Sequence, residues 1–231
     1  MSIGEGNRGR VRMRWYRPRA GTVRPPIVRV QGGSFWNGSI DQLEVRATGV
    51  RRAIAVGATV VDVDYRLAPG DPSAEAIENV ESAVNWALLH VDDHHKGRGV
   101  LLEGVSTGAP LAAATALRFR DRGEGAIVGI LLAAPTLDLR SDSATKLDLR
   151  DFPPTHVMVA DADEFRGAGV TFVHALRGAG VSVTASRHLG LAHDAHAYTG
   201  KWRGARLWQH ESNAALIELA DDALRTEVDP A

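Results

Sequence analysis

The sequence contains no cysteine. That excludes disulfides, thiolate metal sites and a cysteine nucleophile, and it leaves the redox compartment open. Lysine is scarce, found only at Lys96, Lys146 and Lys201, so arginine carries most of the positive charge. The charge is balanced to a formal net −1 at pH 7, which gives no electrostatic case for nucleic acid. No apolar run is long enough to span a bilayer. Residues 1–10 are polar and glycine-containing where a secretory leader would carry an apolar stretch. What remains is an ordinary globular composition, read as one domain over residues 1–231 with ragged polar tails at 1–10 and 226–231, and with a cytoplasmic location expected.

What the chain does have is an alternation of short β-rich runs and helical stretches. Strands are predicted at residues 11–16, 27–30, 59–64, 99–103, 126–133, 156–160 and 181–186. Helices are predicted at 41–56, from Ser73, after residue 108, at 170–176 and at 212–225. The helix from Ser73 has the clearest period, with Ile77, Val80, Val84, Leu88 and Val91 on one face. Strands alternating with helices imply a mostly parallel sheet of about seven strands, covered on both faces, with its site at the carboxyl ends of the strands.

One pentapeptide stands out against this background. Gly104-Val105-Ser106-Thr107-Gly108 follows the apolar run Val100-Leu101-Leu102 and precedes the small-residue run Leu111-Ala112-Ala113-Ala114. A strand, a sharp turn bearing serine, and a helix make the nucleophile elbow of an α/β-hydrolase. A serine hydroxyl needs a base to take its proton and a third group to orient that base, in the chain order serine, acid, histidine. His193 lies in the loop after the last predicted strand and is the candidate base, with His188 and His196 flanking the same loop as rivals. Asp163 follows the strand at 156–160 and is the candidate acid, with Asp161 beside it and Asp138, after the strand at 126–133, as alternatives. Developing oxyanion charge needs N–H donors. The amide of Thr107 and those of Gly32 and Gly33, in the loop after the strand at 27–30, are placed to supply them. His94-His95 and His193-x-x-His196 have metal-ligand types but no third ligand at a clear spacing, so no metal is expected.

Five stretches resemble the hormone-sensitive-lipase-like esterases of the α/β-hydrolase superfamily. Gln31-Gly32-Gly33-Ser34-Phe35-Trp36 is similar to that family's HGGG-type oxyanion loop, and Val63-Asp64-Tyr65-Arg66-Leu67-Ala68-Pro69 to its V-D-Y-R-L-A-P segment. The pentapeptide around Ser106 resembles the family's G-D-S-A-G elbow. Pro153-Pro154-Thr155 through Asp163 resembles its P-P-T strand ending in the acid, and Gly190-Leu191-Ala192-His193 its G-x-x-H. The resemblance implies hydrolysis of carboxylic esters, short-chain ones expected, by Ser106, His193 and Asp163, without a metal or organic cofactor.

The chain also departs from the pattern. Gln31 stands where the family has histidine, Ser34 replaces the third loop glycine, Val105 replaces an acid, and Ala109 replaces a glycine. Little sequence is left for the family's cap, because only residues 139–152 join the strand at 126–133 to Pro153. An uncapped site is expected to be shallow and wet, with Ser34, Phe35, Trp36 and Tyr65 as candidate substrate-binding residues and core packing as the alternative for the three aromatics. A homodimer or a partner protein could cover it. Two other activities fit the same residues: acyl transfer, lactone-cyclising or dehydratase-type biosynthetic chemistry, or a catalytically inactive ligand-binding or scaffolding role.

Overall fold

The computed structural model describes residues 1–8, 11–19, 24–33, 38–67, 73–91, 99–137, 147–193 and 202–228. Eight strands form one sheet: β1 (Ser2–Arg8), β2 (Val11–Arg17), β3 (Ile27–Val30), β4 (Val60–Asp64), β5 (Val100–Val105), β6 (Ile127–Ala133), β7 (Thr155–Ala160) and β8 (Val183–His188). Their order is β1-β2-β4-β3-β5-β6-β7-β8. β2 is antiparallel to both of its neighbours, and every pairing from β4 to β8 is parallel. The helices are α1 (Leu43–Val56), α2 (Ser73–His90), α3 (Gly108–Asp121), α4 (Arg166–Gly178) and α5 (Arg203–Val228).

The alternation of side chains along each strand builds two separate cores. Val28, Val30, Val61, Val63, Leu102, Ile130 and Leu132 face α2, α3 and α4. Ile27, Val60, Leu101, Leu131 and Met158 face α1 and α5. Strands buried on both faces read as continuous apolar runs, which is why β4 to β7 are legible in the sequence.

β1 corrects the expected N-terminal tail. Residues 2–8 pair antiparallel with β2 along their whole length. The strand lacks an apolar alternation and is held by charge: Glu5 accepts from Arg12 at 2.9 Å and from Arg14 at 2.6 Å. The C-terminal helix likewise runs to Val228, into the second expected tail. Between β6 and β7, the described part of residues 134–154 contains no helix.

The β7–β8 edge carries two histidines. His156 Nδ1 lies 2.7 Å from Thr184 Oγ1, and His188 Nε2 lies 3.2 Å from Glu211. Burial pushes both imidazoles below their ordinary range, although Glu211 pulls each the other way. The folded protein therefore holds fewer protons than the unfolded chain below the ordinary histidine pKa of 6.5. Stability should be full above that value and fall as the pH drops through it toward the lowered folded values. Urea midpoints measured from pH 8 to pH 5 should show this fall, and the double substitution His156→Gln/His188→Gln should flatten it. An unchanged slope in the double variant would assign the acid sensitivity to other groups.

Candidate active site

The carboxyl ends of β3, β5, β7 and β8 converge on one point. β5 ends at Val105, and the next residue, Ser106, has φ 51°. A serine in the left-handed region is strained and needs outside support. Its amide donates to the carbonyl of Ala133 at 2.9 Å, and its own carbonyl accepts from the amide of Ala109 at 3.0 Å. The turn is therefore pinned to β6 on one side and to α3 on the other.

The glycines of the pentapeptide answer to close approach. A Cβ at Gly108 would run into the carbonyl oxygen of Val30 and stand 2.7 Å from that of Gln31. A Cβ at Gly104 would lie 2.6 Å from the Cα of Ala109. The first turn of α3 thus lies directly over β5 and against the end of β3. Gly32 completes the crowding, because a Cβ there would sit 2.9 Å from Ser106 Cβ. The loop after β3 is consequently in contact with the serine. Among the described hydrogen bonds, none is donated by the amides of Gly32, Gly33 or Thr107.

Ser106 Oγ lies 2.7 Å from His193 Nε2, and His193 Nδ1 lies 2.8 Å from Asp163 Oδ2. The tautomer that satisfies both contacts carries its proton on Nδ1, which donates to the carboxylate, while Nε2 accepts from the serine hydroxyl. Asp163 Oδ1 accepts from the amide of Phe165 at 2.8 Å, and the Asp163 side chain is only 1% exposed. Both carboxylate oxygens are thus occupied, and the group is fixed in orientation. The loops after β7 and β8 are tied together by two backbone bonds, Asp161 amide to His188 carbonyl at 3.0 Å and Ala162 amide to Leu191 carbonyl at 2.8 Å. The serine, the imidazole and the carboxylate therefore sit on a braced frame.

The rivals fall elsewhere. Asp161 pairs with Arg166 at 3.2 Å and, more closely, with Arg187, whose guanidinium holds its carboxyl below the usual carboxylate range. His188 faces Glu211 and lies against Trp208, with ring centroids 4.7 Å apart. Asp138, His196, His94 and His95 lie outside the described residues, as do Ser34, Phe35 and Trp36.

Tyr65 is corrected. It is 3% exposed, and its hydroxyl donates to the carbonyl of Gln31 at 3.0 Å. Burial raises its phenol above the ordinary range. It braces the loop after β3 from behind and is not an exposed substrate-binding surface. Phe165 has no role in the sequence reasoning, yet its ring meets the ring of His193 edge-on at 5.2 Å and is 38% exposed. Its position two residues after Asp163 was the available signal. Among the described residues, no three histidines or carboxylates gather as a metal site, and no helix is long and apolar enough to cross a membrane.

This geometry has counterparts in known proteins. The family model for the alpha/beta hydrolase fold matches residues 27–148. Esterase LipI of Mycobacterium tuberculosis is 30% identical over 216 residues, covering 76% of this chain and 67% of LipI. Carboxylic ester hydrolase LipN of the same organism is 29% identical over 231 residues, covering 80% of this chain and 60% of LipN. The chain thus spans about two thirds or less of the length of these two relatives. The solved hyperthermophilic esterase of Pyrobaculum calidifontis superposes with a TM-score of 0.86 at 28% identity, covering 95% of this chain and 86% of that one. A family match over more than half the chain, on a sheet of this order, means that the protein belongs to the α/β-hydrolase fold family, in its hormone-sensitive-lipase-like group.

Proposed function

We propose that this protein is a serine carboxylesterase, with Ser106 as nucleophile, His193 as general base and acid, and Asp163 as the group that orients the imidazole. The observation that carries the reading is the continuous relay from Ser106 Oγ through His193 to Asp163, at 2.7 and 2.8 Å. Ser106 Oγ attacks the ester carbonyl carbon while Nε2 takes the hydroxyl proton. The imidazolium so formed is stabilised by the buried carboxylate of Asp163. Charge that moves onto the carbonyl oxygen is met by the amides of Gly32, Gly33 and Thr107, donors fixed before the reaction begins. The imidazolium then gives its proton to the departing alcohol, leaving an acyl-serine. Water, deprotonated in its turn by Nε2, releases the acid and restores the serine.

The reading extends to short acyl chains. A long chain needs an apolar wall, and only residues 134–152 join β6 to Pro153, which leaves little sequence to build one.

The test is covalent capture. A fluorophosphonate probe incubated with the purified protein should label Ser106 stoichiometrically, as located by peptide mass spectrometry. p-Nitrophenyl acetate should be turned over with water as the acyl acceptor. Labelling elsewhere, or none, sinks the assignment of the nucleophile. Labelling at Ser106 with the acyl group passed only to an added alcohol would move the reaction to acyl transfer.

A further inference from the structure

The face of the sheet beneath α1 and α5 carries an unusual row. Glu5, Arg14, Asp62, Arg29 and Glu103 are successive register partners across β1, β2, β4, β3 and β5, and their charges alternate in sign. The inner members are buried. Arg29 and Asp62 side chains are 4% and 0% exposed, and Arg52 and Glu103 side chains are 4% and 2% exposed. Arg29 donates to both oxygens of Asp62 at 2.7 Å and to the carbonyl of Val45 at 2.6 Å. Arg52, reaching down from α1, donates to both oxygens of Glu103 at 3.1 and 2.5 Å and to Ser212 Oγ of α5 at 2.8 Å.

Stability alone does not account for such a row. The desolvation of buried ion pairs is only partly repaid, and well-packed apolar substitutes are often as stable or more so. Register is a different matter. A one-residue slip of a strand sends its side chains to the wrong face, and an apolar pattern forbids it. A two-residue slip keeps the faces, and the apolar residues of β3 and β5 alone discriminate weakly against it. With the charges in place, such a slip of β3 would set Arg29 opposite Leu101 or Val105 in place of Glu103, leaving buried charges unpaired.

The functional loops begin where this register ends. Val30 pairs with Gly104, the last pair of β3 with β5. Two residues further along one strand comes Gly32, and two further along the other comes Ser106, already in contact with it. We propose that Glu103, set between Arg29 and Arg52, is a positioning residue: it fixes β5 against β3 and thereby holds the amides of the β3 loop opposite the Ser106 hydroxyl. This inference rests on the esterase reading of the site.

The experiment removes the charges without leaving either one orphaned. Arg52→Met/Glu103→Leu should fold and melt within a few degrees of the parent protein, since an apolar pair replaces an ionic one. Its kcat on p-nitrophenyl acetate should nonetheless fall about tenfold to a hundredfold, as small misplacements of reacting groups do, with KM within about twofold. A double variant with parental melting temperature and parental kcat overturns the proposal. If the double variant does not fold, Glu103→Gln, which keeps the shape and loses the charge, becomes the test. A lowered kcat at unchanged KM supports positioning, and parental kcat overturns it. Ser106→Ala, run alongside, separates the two readings. Activity surviving there overturns the esterase assignment itself, whatever the Glu103 variants do.

Discussion

Ser106→Ala is expected to lower kcat for p-nitrophenyl acetate by about a million-fold, the loss typical when a triad nucleophile is removed. The expectation follows from the division of labour in the site. Without Oγ, no acyl-enzyme forms, and His193 has no hydroxyl to deprotonate. The amides of Gly32, Gly33 and Thr107 remain and can still polarise a bound ester, so a residual acceleration of about 10³–10⁴ over water should persist. His193→Ala should cost a similar amount. The double variant should be no worse than either single one, because nucleophile and base act as a unit. Folding is a separate readout. Ser106 pays for its φ of 51° with strain that alanine inherits. Ser106→Gly should therefore be equally inactive yet more stable than Ser106→Ala, by up to about 1 kcal/mol in urea unfolding. A catalytically competent Ser106→Ala protein would falsify the nucleophile assignment.

Ser106 and Asp163 were legible because each follows an apolar strand, where chain direction decides which loop faces the site, whereas His193 follows the polar, half-exposed β8 and was reached through chain order and its G-x-x-H spacing. Val100-Leu101-Leu102 and Val60-Val61 announce strands buried on both faces, and the turn glycines follow closely after the first of them. β1 was not legible. Ser2-Ile3-Gly4-Glu5-Gly6-Asn7-Arg8 has no alternation of its own, and the charges that seat it belong to Arg12 and Arg14 on the next strand. α4 begins at Arg166, four residues before the start predicted at residue 170. A Cβ at Gly169 would lie 2.7 Å from Val159 Cγ1, so this glycine lets the helix settle onto β7. The buried ion row was hidden for a topological reason. Arg29, Asp62 and Glu103 each look like an isolated charge in an apolar strand, and they become partners only once the order β4-β3-β5 is known. Tyr65 belongs to the same class, since its partner, the carbonyl of Gln31, comes from a neighbouring strand's loop.

Asp161 and Asp163 illustrate the limit of spacing most sharply, and they supply the second large expected effect. Both follow β7, both are carboxylates, and one residue separates them. Asp163→Asn should lower kcat by about 10⁴-fold with KM nearly unchanged. An asparagine amide in that place can donate to His193 Nδ1, which forces the ring proton onto Nε2. The imidazole would then present a donor to Ser106 Oγ where catalysis needs an acceptor. It would also lack the buried negative charge that stabilises its protonated form. Asp161→Asn weakens the partly exposed contacts with Arg166 and Arg187, where ion pairs contribute little, and keeps an oxygen that can accept from the amide of Gly190, so kcat should stay within about twofold of the parent. Steady-state kinetics on the two variants, with circular dichroism to confirm that both are folded, makes the comparison. Equal losses would mean that the loop after β7 acts as a structural unit rather than through one oriented carboxylate. A larger loss at Asp161 would transfer the acid to that residue and require the loop to rearrange on binding substrate, since its carboxylate is now held by Arg187 and its burial does not match the 1% exposure of the Asp163 side chain.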